Sequence, residues 1–119
     1  MEVGSLPDLK DRAILVTGST RGIGRACAAA LLEMGAVVGV HVRNGDAVEA
    51  VCRGLSSDAG RTVPLAADLA DPLNGAAVVR RFVDKCGRID GLVNNAGGGR
   101  AAAFRAMAVE KWRAPFAVN

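Results

Sequence analysis

Three glycines near the N-terminus of the chain form its clearest candidate for chemistry. They lie in the run Gly18-Ser19-Thr20-Arg21-Gly22-Ile23-Gly24. A strand-like apolar stretch, Ala13 to Val16, comes before the run, and apolar residues at helical spacing follow it. In a strand–glycine turn–helix unit, phosphates bind at the helix N-terminus, where free N–H groups and the helix dipole favour anions. We therefore predict a dinucleotide phosphate site, with an ordinary strand-to-helix turn as the alternative.

Each glycine of the run has its own expected purpose in such a unit. Gly18 permits the tight turn out of the strand, and Gly22 lets the backbone approach a pyrophosphate. Gly24 allows the helix to pack closely on the sheet.

A basic residue follows the second predicted strand, at the position that decides between the two nicotinamide cofactors. Arg43 lies nineteen residues after Gly24, and no acid stands beside it at Val42. An acid at this strand end binds the ribose 2′-hydroxyl of NAD, whereas an arginine accommodates the 2′-phosphate of NADP. Arg21 in the glycine run is a second basic residue. We predict that NADP(H) is favoured over NAD(H); the alternative is that both arginines are solvated surface residues.

Two motifs in this order resemble the short-chain dehydrogenase/reductase family of the classical type. They are Thr17-Gly18-x-x-x-Gly22-Ile23-Gly24 and Asn94-Asn95-Ala96-Gly97. The resemblance runs from about Leu9 to Asn119 and covers only the N-terminal half of such enzymes. It implies an NADP(H)-dependent oxidoreductase that moves a hydride between the nicotinamide and a carbonyl or alcohol carbon of a small molecule. It also implies that the full-length form is a homo-oligomer.

The resemblance assigns roles to individual residues. Asp68 would contact the adenine ring, Asn95 would tie neighbouring strands together, and Ala96 and Gly97 would line the adenosine ribose. The cofactor-binding set expected on this basis is Gly18, Ser19, Thr20, Arg21, Gly22, Ile23, Gly24, Arg43, Asp68, Leu69, Asn95, Ala96 and Gly97.

The catalytic residues that the resemblance implies are almost entirely missing. Asn119 matches the asparagine that positions a water in the family's proton relay. The chain contains no tyrosine, so the general acid/base of the family's Tyr-x-x-x-Lys motif is absent. The lysines, Lys10, Lys85 and Lys111, stand at other positions. We therefore expect a fragment of an oxidoreductase that is inactive alone, marginally stable and weak in cofactor affinity. The alternative is a non-catalytic nucleotide-binding or interaction module.

Alternating strand and helix patterns predict the elements that position these residues. The strands are expected at Ala13–Val16, Val37–Val42, Thr62–Ala66 and 91–94. The helices are expected from the glycine run to Met34, after a cap at Asp46, from Pro72, and over 109–119. Pro64 places the third strand at a sheet edge, consistent with a 3-2-1-4 order. The fold class is α/β, a Rossmann-like doubly wound parallel sheet truncated after about four strands, with 1–119 as one partial NAD(P)-binding domain.

Several side chains are interpreted as structural. Cys27, Cys52 and Cys86 have no metal-ligand spacing and fit small buried hydrophobes. His41 is expected to be packed or on the surface, without a catalytic role. Trp112 and Phe116 recur at helical spacing and are expected in the core. Pro115 would remove a hydrogen bond inside the last helix and makes it the least secure element.

Composition and charge exclude other function classes. The net charge of +3 and the isoelectric point near 9.1 come from scattered residues, which does not indicate nucleic-acid binding. The sequence has no apolar run of about eighteen residues, the length that would predict a membrane span, and the N-terminus lacks a signal-peptide core. A cytoplasmic location is expected.

Overall fold

The computed structural model describes residues 6–97 and 108–119, without the side chain of Trp112. The predicted core position of that side chain therefore lies outside the described residues. Strands and helices alternate along the chain. They are β1 (Ala13–Val16), α1 (Gly22–Glu33), β2 (Val37–Val42), α2 (Val48–Leu55), β3 (Thr62–Ala66), α3 (Pro72–Cys86), β4 (Gly91–Val93) and α4 (Val109–Val118), with short 3-10 helices at Gly45–Ala47 and Ala59–Arg61.

The four described strands form one parallel sheet in the order β3-β2-β1-β4. Leu15 of β1 lies opposite Gly39 of β2 and Leu92 of β4, which fixes the register across the centre. Pro64 is exposed on the edge strand β3, where its missing N–H leaves no ladder bond unmade. The predicted fold class and strand order are confirmed.

Helices cover both faces of the sheet, as a doubly wound architecture requires. Alternate residues of β2 pack with α1 and α2 in one core cluster, which comprises Val16, Ala28, Ala36, Val38, Val40, Val42, Val48, Val51 and Cys52. The opposite cluster is built around α3 and comprises Ala13, Leu15, Val63, Leu65, Val78 and Phe82. Gly39 makes room for the fully buried ring of Phe82, since a Cβ there would lie 2.9 Å from that ring.

Specific residues fix where α1 ends and where α3 begins and ends. Gly35 follows α1 with a φ of +101°, a conformation that favours glycine. The Arg61 guanidinium also reaches this helix end, donating to the carbonyls of Leu32 at 2.8 Å and Ala36 at 2.8 Å and 3.1 Å. Asp71 caps α3 by accepting the Leu73 N–H at 2.9 Å, and a left-handed glycine ends the helix.

Asp90 fixes the segment between α3 and β4. Its carboxylate lies 2.7 Å from the Arg88 guanidinium and accepts the Ala13 N–H at 2.8 Å. These two bonds, with a weaker contribution from Arg12, lower the pKa of Asp90 to about 2.

Two details of the sequence predictions are wrong. Asp46 does not cap α2, because a 3-10 turn precedes that helix and is capped by Asn44, whose side chain accepts the Asp46 N–H at 3.1 Å. Phe116 is 72% exposed, and no described side chain of α4 belongs to either core cluster. In α1, whose helical spacing was predicted, Ile23 of the first turn is 76% exposed, whereas Cys27 and Leu31 pack against the core.

The cysteines behave as packing residues. Cys52 is buried, while Cys27 and Cys86 are half-buried against the two core clusters. Burial raises the pKa of the Cys52 and Cys86 thiols, which favours the unreactive protonated form. In residues 6–97 and 108–119, no group of metal-ligating side chains could hold an ion. Among the helices of the same residues, none has the length and apolar character of a membrane span.

Candidate functional site

A pocket of about 430 Å³ opens at the edge of the sheet where the parallel strands end. Because all four strands point the same way, the residues that follow each of them meet at this edge. The pocket is lined by Gly18, Thr20, Arg21, His41, Arg43, Ala67, Asp68, Leu69, Asn95, Ala96, Gly97 and Val118. Nine of the thirteen predicted cofactor-binding residues are thus gathered around one cavity.

The glycine loop forms one wall of the pocket and leads into α1. Gly18 and Gly22 have φ values of +66° and +61°, which side chains with a Cβ rarely adopt. Arg21, at the N-cap of α1, makes no side-chain capping bond, and the first turn carries no acid. The N-cap side chain therefore leaves the N–H groups of this helix end uncapped, and no described atom outside its own helix and chain neighbours lies within 4 Å of where a Cβ of Gly22 would be. Such an end fits the phosphates of a dinucleotide.

Gly24 and Asn95 hold the loop against the end of β4. A Cβ on Gly24 would collide with the carbonyl oxygen of Gly18 and the side-chain amide of Asn95. That amide donates a hydrogen bond to the same carbonyl at 3.0 Å. The absence of a side chain at Gly24 therefore lets α1 approach the turn that leaves β1.

Thr17 is a further tie that sequence reasoning did not identify. Its hydroxyl accepts the N–H groups of Asn95 at 3.0 Å and Ala96 at 2.9 Å, and it donates to the carbonyl of Val93 at 3.3 Å. One buried hydroxyl thus joins the end of β1 to the turn after β4. A threonine at the end of a buried strand, directly before Gly18, was the available signal.

His41 is a second tie, on the other side of the loop. Its ring is 3% exposed, with Nδ1 3.0 Å from the Gly18 nitrogen and Nε2 2.9 Å from the Ala67 oxygen. Because an N–H only donates and a carbonyl only accepts, Nδ1 must accept and Nε2 must carry the proton. The neutral ring therefore bridges the glycine loop to the residue after β3. The sequence predicted packing or surface placement for this residue, and the bridging role was missed.

Charged side chains stand at the outer end of the pocket. The Arg43 guanidinium lies 3.5 Å from Oδ2 of Asp68 and is 83% exposed. Oδ1 of Asp68 accepts the Ala70 N–H at 3.0 Å, which fixes the carboxylate at the end of β3. Arg21 is exposed on the glycine loop. The residue before Arg43 is the buried Val42, so no carboxylate stands at that position. The pocket therefore offers cationic groups for a phosphate and a carboxylate that can accept from an amine.

Some predicted residues do not line this pocket. Ser19 is fully buried, with its N–H donating to the His41 carbonyl at 2.9 Å and its hydroxyl to the Val16 carbonyl at 2.5 Å. Gly22, Ile23 and Gly24 also lie outside the lining, so any contact of theirs with a cofactor stays a prediction.

Asn119 lies near the pocket beside Gly97. A Cβ on that glycine would be 2.5 Å from the Asn119 side-chain oxygen, and Val118 lines the cavity. The end of α4 is thus close to the turn after β4, although the side chains of α4 that the structure describes are absent from both core clusters. Its role in a proton relay stays a prediction.

Comparison with known proteins agrees with this geometry. Residues 12–119 match the family model described as short chain dehydrogenase. The uncharacterized oxidoreductase YvrD of Bacillus subtilis is 39% identical over 111 residues, and the D-threitol dehydrogenase of Mycolicibacterium smegmatis is 34% identical over 111. These matches cover 93% of this chain and 41% and 43% of the relatives.

A solved structure extends the comparison to three dimensions. The crystal structure of a candidate short-chain alcohol dehydrogenase from Sinorhizobium meliloti 1021 superposes with a TM-score of 0.87 at 35% identity, over 94% of this chain and 44% of that one. The chain spans less than half the length of these relatives. The family match over nearly all of its residues shows that the chain belongs to the short-chain dehydrogenase family.

Proposed function

We propose that the chain is the cofactor-binding part of an NADP(H)-dependent oxidoreductase that interconverts carbonyl and alcohol groups of a small molecule. The observation that carries the cofactor preference is Arg43, which follows β2 at the pocket where Val42 leaves no acid. A guanidinium pairs well with a 2′-phosphate dianion, whereas a carboxylate would repel it. Arg21 on the facing loop adds a second positive charge.

The residues at the pocket fit the adenosine half of the cofactor and its pyrophosphate. The uncapped N-terminus of α1 would hold the pyrophosphate, and Asp68 would accept from the adenine amine. Asn95 would hold the turn that carries Ala96 and Gly97 at the ribose. When bound, the cofactor supplies the hydride, and the described residues bind and orient it.

The proton-transfer chemistry of the family needs a phenol that these 119 residues do not contain. We propose that Asn119 is the only member of the catalytic set in this chain and that the chain alone does not turn over substrate. The same lack of tyrosine supports a second candidate function, a non-catalytic nucleotide-binding module. The relatives bear names as different as D-threitol dehydrogenase and 3-oxoacyl-[acyl-carrier-protein] reductase, so we propose no narrower substrate.

Calorimetric titration of the chain with NADP⁺ and NAD⁺ tests the cofactor proposal. Replacing Arg43 with alanine should weaken NADP⁺ binding roughly tenfold, since one exposed charged hydrogen-bond donor is lost, and should leave NAD⁺ binding nearly unchanged. Arg80→Ala makes the same charge change on an exposed position of α3 and is the matched control. Equal loss for both cofactors in Arg43→Ala would show that Arg43 does not read the 2′-phosphate.

Carbonyl reduction distinguishes the two candidate functions. NADPH oxidation should be absent in the chain alone and present in a longer protein that supplies a Tyr-x-x-x-Lys segment. Binding without turnover in both would favour the nucleotide-binding module.

A further inference from the structure

We propose that His41 is a positioning residue whose neutral ring holds the glycine loop in its binding shape, so that protonation of the ring weakens cofactor binding. This inference rests on the proposed function, since it concerns regulation of the same pocket. The ring touches backbone on both sides of the cavity and itself lines the wall between them.

The geometry leaves only one tautomer compatible with both bonds. Nδ1 accepts from Gly18, the residue at which the chain turns out of β1, and Nε2 donates to Ala67, the residue after β3. Ser19, the next residue of the loop, donates its N–H to the backbone carbonyl of His41 at 2.9 Å. Two consecutive N–H groups of the loop are therefore paired to one residue of β2.

Protonation removes the first of these bonds. An imidazolium carries N–H groups at both nitrogens, so Nδ1–H would face the Gly18 N–H, donor against donor. Either the ring or the loop must then move. Because the ring is 3% exposed, water cannot readily replace the lost acceptor in place.

Among the described residues, the lining of the pocket carries the cations of Arg21 and Arg43 and the carboxylate of Asp68. Arg21 stands on the glycine loop and Arg43 follows β2, while the Arg81 guanidinium of α3, outside the lining, donates to the Ala66 carbonyl at 3.2 Å. Asp68 is the carboxylate among the described residues that line the same cavity, and it already lies 3.5 Å from Arg43. An imidazolium at His41 would therefore be the third cation of this lining, after Arg21 and Arg43, beside the carboxylate of Asp68.

The chain contains a single histidine, which makes the ring directly observable by NMR. At about pH 8 the ¹⁵N shifts of the His41 ring should show a protonated Nε2 and an unprotonated Nδ1. On acidification the amide signal of Gly18 should move with the same midpoint as the ring. An Nδ1–H tautomer, or a Gly18 amide that ignores the ring titration, would overturn the proposal without any cofactor being added.

Cofactor binding gives the second test, with NADP⁺ as the probe and the whole chain as the protein. His41→Asn keeps an acceptor for the Gly18 N–H but cannot titrate. The variant also loses the bond to the Ala67 carbonyl, so the comparison is the change with pH and not the affinity at one pH. The ratio of wild-type to variant affinity for NADP⁺ should fall roughly tenfold between about pH 8 and about pH 5.5. The 2′-phosphate also titrates in this range, but it does so equally with both proteins, so their ratio isolates the ring.

The outcomes separate this inference from the proposed function. A ratio of wild-type to variant affinity that stays constant or rises on acidification would overturn the inference, and a rise would show that the protonated ring attracts the phosphates. No NADP⁺ binding at any pH would refute the proposed function instead, and the NMR titration would still decide whether the ring holds the loop.

Discussion

Replacing Thr17 with valine should release the turn after β4 from the sheet. Valine has nearly the same shape but removes the hydroxyl that accepts from Asn95 and Ala96. The Asn95 N–H keeps a second acceptor, the Val93 carbonyl at 3.1 Å, whereas the Ala96 N–H has only the hydroxyl among the described residues. One donor is therefore orphaned, not two. The expected loss in the free energy of unfolding is about 1–2 kcal/mol, toward the lower end for a donor that is only half-buried.

Urea unfolding and amide hydrogen exchange together test this reasoning. Thr17→Ser is the matched control, since it keeps the hydroxyl and loses one buried methyl group, which costs about 1 kcal/mol. Both variants are thus less stable, and only the valine should lose protection at the Ala96 amide. NADP⁺ affinity should fall in the valine variant alone, because Ala96 lines the pocket. Equal protection of that amide in the two variants would refute the assigned role of the hydroxyl.

Three other perturbations have directions fixed by the structure. Gly24→Ala should destabilise the fold by about 1–3 kcal/mol, because its Cβ collides with the loop, and should weaken NADP⁺ binding. Gly75→Ala, in open space inside α3, should stabilise the fold by up to about 1 kcal/mol in the same urea assay. The Arg88 guanidinium helps to hold the pKa of Asp90 at about 2, so the stability from Asp90 is complete above the ordinary value of 3.8 and is lost as the pH falls through about 2. Asp90→Asn should abolish that part of the acid-unfolding profile, and an unchanged profile would contradict it. Arg61→Met should lower the free energy of unfolding by about 2 kcal/mol and Arg61→Lys by about half of that, because lysine keeps the charge without the forked donors. Equal losses in the two variants would show that the forked donors do not contribute.

The sheet was predictable because its determinants are local or general. Apolar runs gave the first three strands with their observed bounds, and Pro64 marked the edge because a missing N–H disqualifies a central position. Boundaries that depend on packing were less accurate. A 3-10 turn precedes α2 and is capped by Asn44, so Asp46 is not the cap. Phe116 fits the helical period, but it and the other described side chains of α4 lie outside both core clusters.

The candidate site was predictable in outline for a similar reason. Once the strands are parallel, the residues that follow them must converge, which places Arg43, Asp68 and Asn95 at one pocket. The ties made by Thr17 and His41 were missed because each joins segments far apart in sequence. A threonine or histidine at a strand end carries no mark of which backbone group it will meet.

Arg43 and Asp68 pair with each other, although the proposed function assigns them to different parts of one cofactor. The two predictions are compatible because the pair is weak. At 3.5 Å, with the arginine 83% exposed and the carboxylate side chain 46% exposed, such a contact contributes only about 0–1 kcal/mol. A 2′-phosphate dianion would therefore displace the carboxylate from Arg43 at little cost, leaving Asp68 to accept from the adenine amine. Asp68 keeps its bond from the Ala70 N–H throughout, so only the arginine needs to move.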